Sequence, residues 1–335
     1  MRKIVLLFVC ALLAMPVFGQ VITLNGAGAT FPNPMYSKWF SEYHKIHSDV
    51  QVNYQPIGSG GGIRQVTAGT VDFGASDMPM TDKQLQDAKF KILNIPTVLG
   101  ADVPAYNVPG VTGEVKFTPE ALAGIFLGKI SKWNDKAITS ANPEVKFPDK
   151  DIIVVHRSDG SGTTFIWTDY LSKVSPEWKS QVGADTSVKW PLGMGGLHNE
   201  GVAGLIRQLS GSIGYVELIY AVQNNITYGS VRNSSGAFVK ASLESITAAA
   251  ASAPKMPADF RVSITNAPGK DAYPISSFTW LLIPEKSKDA AKGKILVDFM
   301  NWMVTDGQKM TAALAYAPLP DNVVAKVKEA IKQVK

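Results

Sequence analysis

Three times in this 335-residue chain, a short apolar stretch runs through a glycine-rich turn bearing a hydroxyl and into a helix-like stretch. The turns are Gly26-Ala27-Gly28-Ala29-Thr30-Phe31-Pro32, Gly58-Ser59-Gly60-Gly61-Gly62-Ile63-Arg64 and Arg157-Ser158-Asp159-Gly160-Ser161-Gly162-Thr163-Thr164. A strand that passes directly into a helix is the repeating unit of α/β architecture, so the recurrence points to that fold class.

The rest of the chain keeps the alternation. Tyr36, Trp39, Phe40, Tyr43 and Ile46 repeat at helical spacing, and Val50 to Tyr54 alternates as a strand does. Ile63 to Ala68 reads as a short helix closed by Gly69. Val71 to Ala75 and Ile92 to Leu99 read as strands. Thr118-Pro119-Glu120 starts a helix, with Thr as N-cap and Pro in the first turn, and Gly128 stops it. Ile152 to His156 is a buried strand, Thr164 to Val174 and Asn199 to Leu209 are helical, and Ile213 to Val216 is a strand. An Ala-rich helix spans Ser242 to Pro254. Ile295, Leu296, Phe299, Met300, Met303 and Val304 mark an amphipathic helix ending at Gly307, and Asn322 to Val334 closes the chain. Length alone favours two domains. Gly100–Pro104 and Pro274–Ser277 are candidate crossovers between lobes.

Composition enters at the N-terminus. Arg2 and Lys3 precede an apolar run from Ile4 to Phe18, too short to span a bilayer comfortably. With small Val17 and Gly19 before Gln20, residues 1–19 read as a secretory signal peptide; a membrane anchor is the alternative. Cys10, the single cysteine, lies inside this run, so the mature chain is expected to hold no disulfide. Net charge is +5, falling to about +3 without Arg2 and Lys3, and no basic run suggests a nucleic-acid partner.

A helix start presents free N–H groups and a positive dipole end, and glycine lets backbone approach a ligand closely. One such turn is an ordinary cap. Three in one chain suggest a single oxyanion held by several helix starts. The Walker A, dinucleotide and nucleophile-elbow patterns do not fit. Arg157 could fork onto an oxyanion, with Asp159 holding the guanidinium. Asp77 ends a strand, where a carboxylate would repel an aprotic anion but accept the proton of a protonated one. Phosphate near neutral pH carries that proton and sulfate does not.

These turns, with Val-Asp-Phe-Gly-Ala-Ser-Asp at 71–77, resemble the family of periplasmic phosphate-binding proteins of the phosphate-specific ABC transporter, PstS. Further matches are Leu-Gly-Lys-Ile-Ser-Lys-Trp-Asn-Asp at 127–135, Val-Lys-Trp-Pro at 188–191, Gly-Ser-Ile-Gly-Tyr-Val-Glu at 211–217, Asp-Ala-Tyr-Pro-Ile at 271–275 and Tyr-Ala-Pro-Leu-Pro at 316–320. The resemblance implies a periplasmic-binding-protein type II fold: two α/β lobes joined by two crossover strands, with the ligand in the cleft. Lobe I would comprise residues 20–102 and 277–335, and lobe II residues 103–276. It implies phosphate binding by Ala29, Thr30, Phe31, Ser59, Asp77, Arg157, Ser161, Gly162 and Thr163, with Asp159 pairing to the arginine. It further implies a periplasmic monomer that delivers inorganic phosphate to inner-membrane permease subunits and their cytoplasmic ATPase, with no cofactor, metal or catalysis. Gly60 and His156 depart from the family pattern, which has Ser and Arg there.

Competing readings are a secreted phosphatase using Ser161 or Ser59 as nucleophile, a binder of another tetrahedral oxyanion, and an envelope adhesion protein that keeps the fold. His44 and His47 have a spacing that can bind zinc, but a solvated helix face is the preferred reading. His156 reads as a strand residue and His198 as a loop residue. The seven tryptophans read as packing rather than a stacking platform.

Overall fold

The structure, a computed structural model, describes residues 21–111 and 113–335. The segment read as a signal peptide, with Cys10, lies outside the described residues.

The chain opens with β1 (Ile22–Gly28), β2 (Val50–Gln55) and β3 (Phe73–Ser76), which lie parallel in the order β2-β1-β3. Helix Asn33–Ile46 follows β1 and buries Met35, Tyr36, Trp39, Phe40 and Tyr43. That is the stripe a 3.6-residue period produces. Phe40 packs on Tyr54, Phe73 and Phe299, with ring centroids 5.9, 6.2 and 5.5 Å away.

The long β4 (Ile92–Asn107) organises everything after it. Beyond it come β5 (Lys116–Phe117), β6 (Ile153–Arg157), β7 (Met194–Gly196), β8 (Ser212–Glu217), β9 (Thr227–Tyr228), β10 (Ser230–Arg232), β11 (Phe238–Val239) and β12 (Ser276–Pro284). Ile92–Ala101 pairs antiparallel with β12, and Asp102–Asn107 pairs antiparallel with β8. One strand therefore belongs to two half-sheets, β2-β1-β3-β12-β4 and β4-β8-β6-β7. The sequence suggested a strand to Leu99 followed by a linker; instead the strand runs unbroken through Gly100–Pro104. Pro96 has no N–H to give the ladder, and the register shifts opposite it, between Thr279 and Trp280. β5, β10 and β11 form a separate three-stranded sheet, and β9 adds to β4.

The helices form where their signals lie, with instructive differences at the ends. Thr118 caps helix Pro119–Phe126 by accepting from the Ala121 amide, and Gly128 turns the chain with φ +77°. The Ala-rich helix is Leu243–Ser252, opened by a Ser242/Ser245 capping box. The second glycine turn is not a loop before its helix but the helix's own first turn, Ser59–Ala68. Glycine is a poor helix former, and packing overrides that here. A Cβ at Gly62 would lie 2.6 Å from Ala75 O and 2.7 Å from Ala27 O, so only glycine lets this helix lie against β1 and β3. The amphipathic helix near the C-terminus is Ala290–Met303, and the last is Asp321–Ile331.

Trp39, Trp133, Trp167, Trp178 and Trp280 are fully buried. Around β6 and β8, Trp167 stacks on Tyr215 (5.1 Å between centroids) and Trp190 stacks on Tyr215 (5.7 Å). These rings hold the strand that carries Arg157.

Candidate anion-binding site

The ends of β1, β3 and β6 and the starts of helices Ser59–Ala68 and Gly162–Val174 meet between the two half-sheets. Thr30, Ser59, Asp77, Arg157, Ser161 and Thr163 are drawn together there, each at most 3% exposed. The cleft is closed. Gly60 N–H donates to Gly160 O across it (2.9 Å), and the Tyr220 hydroxyl donates to Thr30 O (2.6 Å).

Each hydroxyl is held by an internal donor. Ser59 Oγ accepts the Asp77 amide (3.1 Å) and Ser161 Oγ, as N-cap, accepts the Thr164 amide (3.1 Å). Thr30 Oγ1 accepts Asn199 Nδ2 (2.9 Å). Thr163 Oγ1 accepts both Arg157 Nη1 (3.1 Å) and Asn199 Nδ2 (3.2 Å). A hydroxyl whose lone pair is engaged this way keeps its O–H to donate. Gly162 and Thr163 occupy the first helical positions, where amides have no intrahelical acceptor.

Arg157 is gripped on one edge. Its Nε and Nη2 donate to the two Asp159 carboxylate oxygens at 2.7 and 2.5 Å. Asp159 also accepts the His198 amide (3.1 Å). Burial pushes the Asp159 carboxyl upward, but the Arg157 hydrogen bonds and charge outweigh it, so it titrates below the usual range. The fork and the Thr163 bond together leave one N–H on each terminal guanidinium nitrogen to donate.

Asp77 stands apart as the acceptor. Its Oδ1 takes a hydrogen bond from Thr279 Oγ1 (2.7 Å), and Ser59 Oγ reaches Oδ2 only at 3.4 Å. Burial dominates and pushes its pKa up to about 7, against the opposing hydrogen bonds and the Arg157 charge. Four hydroxyls, first-turn amides and one guanidinium therefore gather about one carboxyl acceptor. That set suits a small oxyanion carrying a proton.

Ala29 sits in the first turn but plays a different part. Its amide donates to Ala75 O (3.0 Å) and its carbonyl accepts the Tyr54 hydroxyl (2.7 Å), so the donors this turn can offer come from Thr30 and Phe31. The Phe31 carbonyl is tied to the Tyr316 hydroxyl (2.6 Å).

Sequence reasoning missed Asn199, Thr279 and Tyr215. Asn199 bridges Thr30 and Thr163 across the cleft and accepts the Glu217 amide (3.0 Å). A signal for it existed: Gly195-Gly196-Leu197-His198-Asn199 is a fourth glycine-bearing strand-to-helix turn, between β7 and helix His198–Gln208. Thr279 lies in an apolar strand with nothing to mark it. The Tyr215 hydroxyl accepts the Arg157 amide (3.1 Å).

The two departures sit at the margin. A Cβ at Gly60 would lie 3.2 Å from Gly160 Cα, in the contact that closes the cleft. His156 stacks on Trp190 (4.7 Å), its Nδ1 is 2.9 Å from Arg157 O, and burial lowers its pKa. His44 Nδ1 lies 2.6 Å from Val50 O, and the His47 ring packs on Tyr43 (4.4 Å). A cavity of about 680 Å³ beside Lys91, Phe260 and Gln333 involves none of these residues.

A strand shared by two half-sheets, closed over a sealed polar cleft, defines a solute-binding protein, and the model of the PBP superfamily domain matches residues 19–307. The fold is the type II periplasmic-binding fold. It superposes on a high-affinity periplasmic phosphate-binding protein bound with phosphate (TM-score 0.75, 21% identity, 92% of this chain and 93% of the other). A phosphate-binding protein from Stenotrophomonas maltophilia gives a TM-score of 0.69 at 18% identity, over 92% and 93% of the two chains. At the level of sequence, the chain is 48% identical over 308 residues to phosphate-binding protein PstS of Xylella fastidiosa, covering 91% of this chain and 84% of that one. It is 46% identical over 313 residues to PstS of Haemophilus influenzae, covering 93% of each. The chain belongs to the PstS family of phosphate-binding proteins.

Proposed function

We propose that this protein binds inorganic phosphate as the substrate-binding component of an ABC importer and delivers it to inner-membrane permease subunits coupled to a cytoplasmic ATPase. The observation that carries the reading is the donor–acceptor set in the cleft: hydroxyls whose oxygens already accept internal donors, a clamped guanidinium and the Asp77 carboxyl as acceptor. Thr30, Phe31, Ser59, Arg157, Ser161, Gly162 and Thr163 donate to the phosphate oxygens, and Asp77 accepts the phosphate proton. Asp159 orients Arg157. The lobes are residues 20–102 with 277–335, and 103–276. They open about the crossing at Ala101–Asp102 and Ile275–Ser276 to admit the ion, and the closed form is what the permease recognises. The protein acts as a periplasmic monomer after removal of residues 1–19, without cofactor or nucleic-acid partner.

No covalent step is required. Ser161 Oγ serves as a helix cap and His156 is turned onto Trp190, so neither is set as nucleophile or base; Ser59 lies near Asp77 Oδ2 only at 3.4 Å. Calorimetric titration with phosphate and with sulfate tests the proposal. Binding of phosphate with sulfate at least a hundredfold weaker is expected; equal heats from the two anions would remove the role given to Asp77. Turnover of an aryl phosphate would restore the enzyme reading.

A further inference from the structure

Asp102 is the first residue of β4 to pair with β8 rather than β12, and it stands opposite Glu217 in that ladder. Its amide donates to Ile275 O (2.9 Å) and its carbonyl accepts the Tyr273 hydroxyl (2.9 Å), so the outgoing and returning strands meet at it. Asp102 and Glu217 are both fully buried. Neither Asp102 carboxyl oxygen has a hydrogen-bond partner among the described residues, and neither has Glu217 Oε1. Glu217 Oε2 accepts the Ile219 amide (2.8 Å).

The groups facing Asp102 come from every side of the cleft floor: Glu217 on β8, Asp77 after β3, Arg157 on β6, and the Tyr215 and Tyr273 hydroxyls; Glu217 also faces Asp77 and the Tyr220 and Tyr316 hydroxyls. The one cation among them is already matched by Asp159. An ionised Asp102 would thus stand unpaired, in low dielectric, beside two further carboxyls. Adjacent buried carboxyls are stable when a proton lies between them. A phosphate dianion entering the same cleft adds negative charge and strengthens the preference for that proton.

We propose that Asp102 and Glu217 share a proton at the crossing between the lobes and that this proton couples phosphate capture to pH, the pair favouring binding on the acid side of its own titration. The inference rests on the phosphate reading above. By linkage, an ion that favours the protonated pair takes up protons as it binds, and its affinity falls as pH rises through the pair's titration.

Asp102→Asn keeps the shape and offers a donor toward Glu217 but does not titrate. Phosphate is titrated into the full chain and into this variant between about pH 6 and 9, in buffers of different ionisation heat. The ratio of the unaltered protein's Kd to the variant's is expected to climb with pH, by up to about tenfold per pH unit, and the unaltered protein to take up more protons per phosphate. A constant ratio with equal proton uptake overturns the inference and leaves phosphate binding intact. Absence of phosphate heat from the unaltered protein overturns both. Should the variant not fold, infrared spectroscopy of the phosphate-loaded Asp77→Asn protein at about pH 8 decides: a protonated-carboxyl band supports the shared proton, and its absence overturns it.

Discussion

Replacing Gly162 with alanine tests the closed cleft at one atom. Gly162 opens helix Gly162–Val174, and an added Cβ would fall on Ser59 Oγ and within 2.5 Å of both Asp77 Cβ and Asp77 Oδ2. All three lie in the other half of the molecule. Ordinary carbon contacts are about 3.5–4.0 Å, so the halves would have to part by about 1 Å or more, or Asp77 would have to swing away. Overpacking of this size costs about 1–3 kcal/mol, which falls on the closed state and weakens phosphate about 5- to 150-fold. Within its own lobe the change places alanine in a helix, where it is no worse than glycine. Thermal unfolding without ligand should therefore hold while calorimetric affinity drops. Gly204→Ala, inside helix His198–Gln208 with nothing within 4 Å of its Cβ, is the matched control and should bind normally. Unchanged phosphate affinity in Gly162→Ala would refute the closed-cleft reasoning.

Arg157→Ala removes the guanidinium and leaves the half-buried Asp159 without its partner; phosphate affinity should fall at least tenfold, about 1.4 kcal/mol, by the same titration. Asn199→Ala frees both Thr30 Oγ1 and Thr163 Oγ1 from their shared donor. Two hydrogen bonds at about 1 kcal/mol each predict a roughly tenfold or greater loss of affinity, and at least as large a loss in Asn199→Asp, which has no N–H to donate and adds negative charge beside the anion. Asp77→Asn should bring sulfate and phosphate affinities within about tenfold of each other, checked by competition. The same variant tests the pH dependence of stability. The folded pKa of Asp77, about 7, lies above its unfolded value of 3.8, so the folded state favours the neutral acid. Its cost is absent at low pH and grows between about pH 4 and 7, reaching roughly 4 kcal/mol. Urea unfolding of the ligand-free protein should show this decline, and Asp77→Asn should lack that component.

Much of this site was readable because helix starts announce themselves locally. Ser161 caps the helix it precedes, and Arg157 and Asp159 are two residues apart, so chemistry and spacing sufficed. Asn199 was not readable in the same way. Its partners lie 169 and 36 residues distant, and only the folded chain brings them together. Thr279 depends on β12 pairing beside β3, a contact made over 202 residues. Ala29 was placed among the ligands by its neighbours, although the strand register already uses its amide. The continuous β4 was broken too early because Gly100 and Pro104 read as a linker; pairing to β12 on one side and β8 on the other holds them extended. The helical start at Ser59 went against propensity, because the close approach to β1 and β3 favours glycine where a free helix would not.

In the proposed function, one protonated oxyanion sits between the halves, touching both. A crystal structure of the protein grown with phosphate tests it most directly. One tetrahedral ion within hydrogen-bond distance of Thr30, Ser59, Arg157, Ser161 and Asp77 is the expected result. A closed cleft with the ion bound elsewhere, or with Asp77 turned from it, would contradict the account.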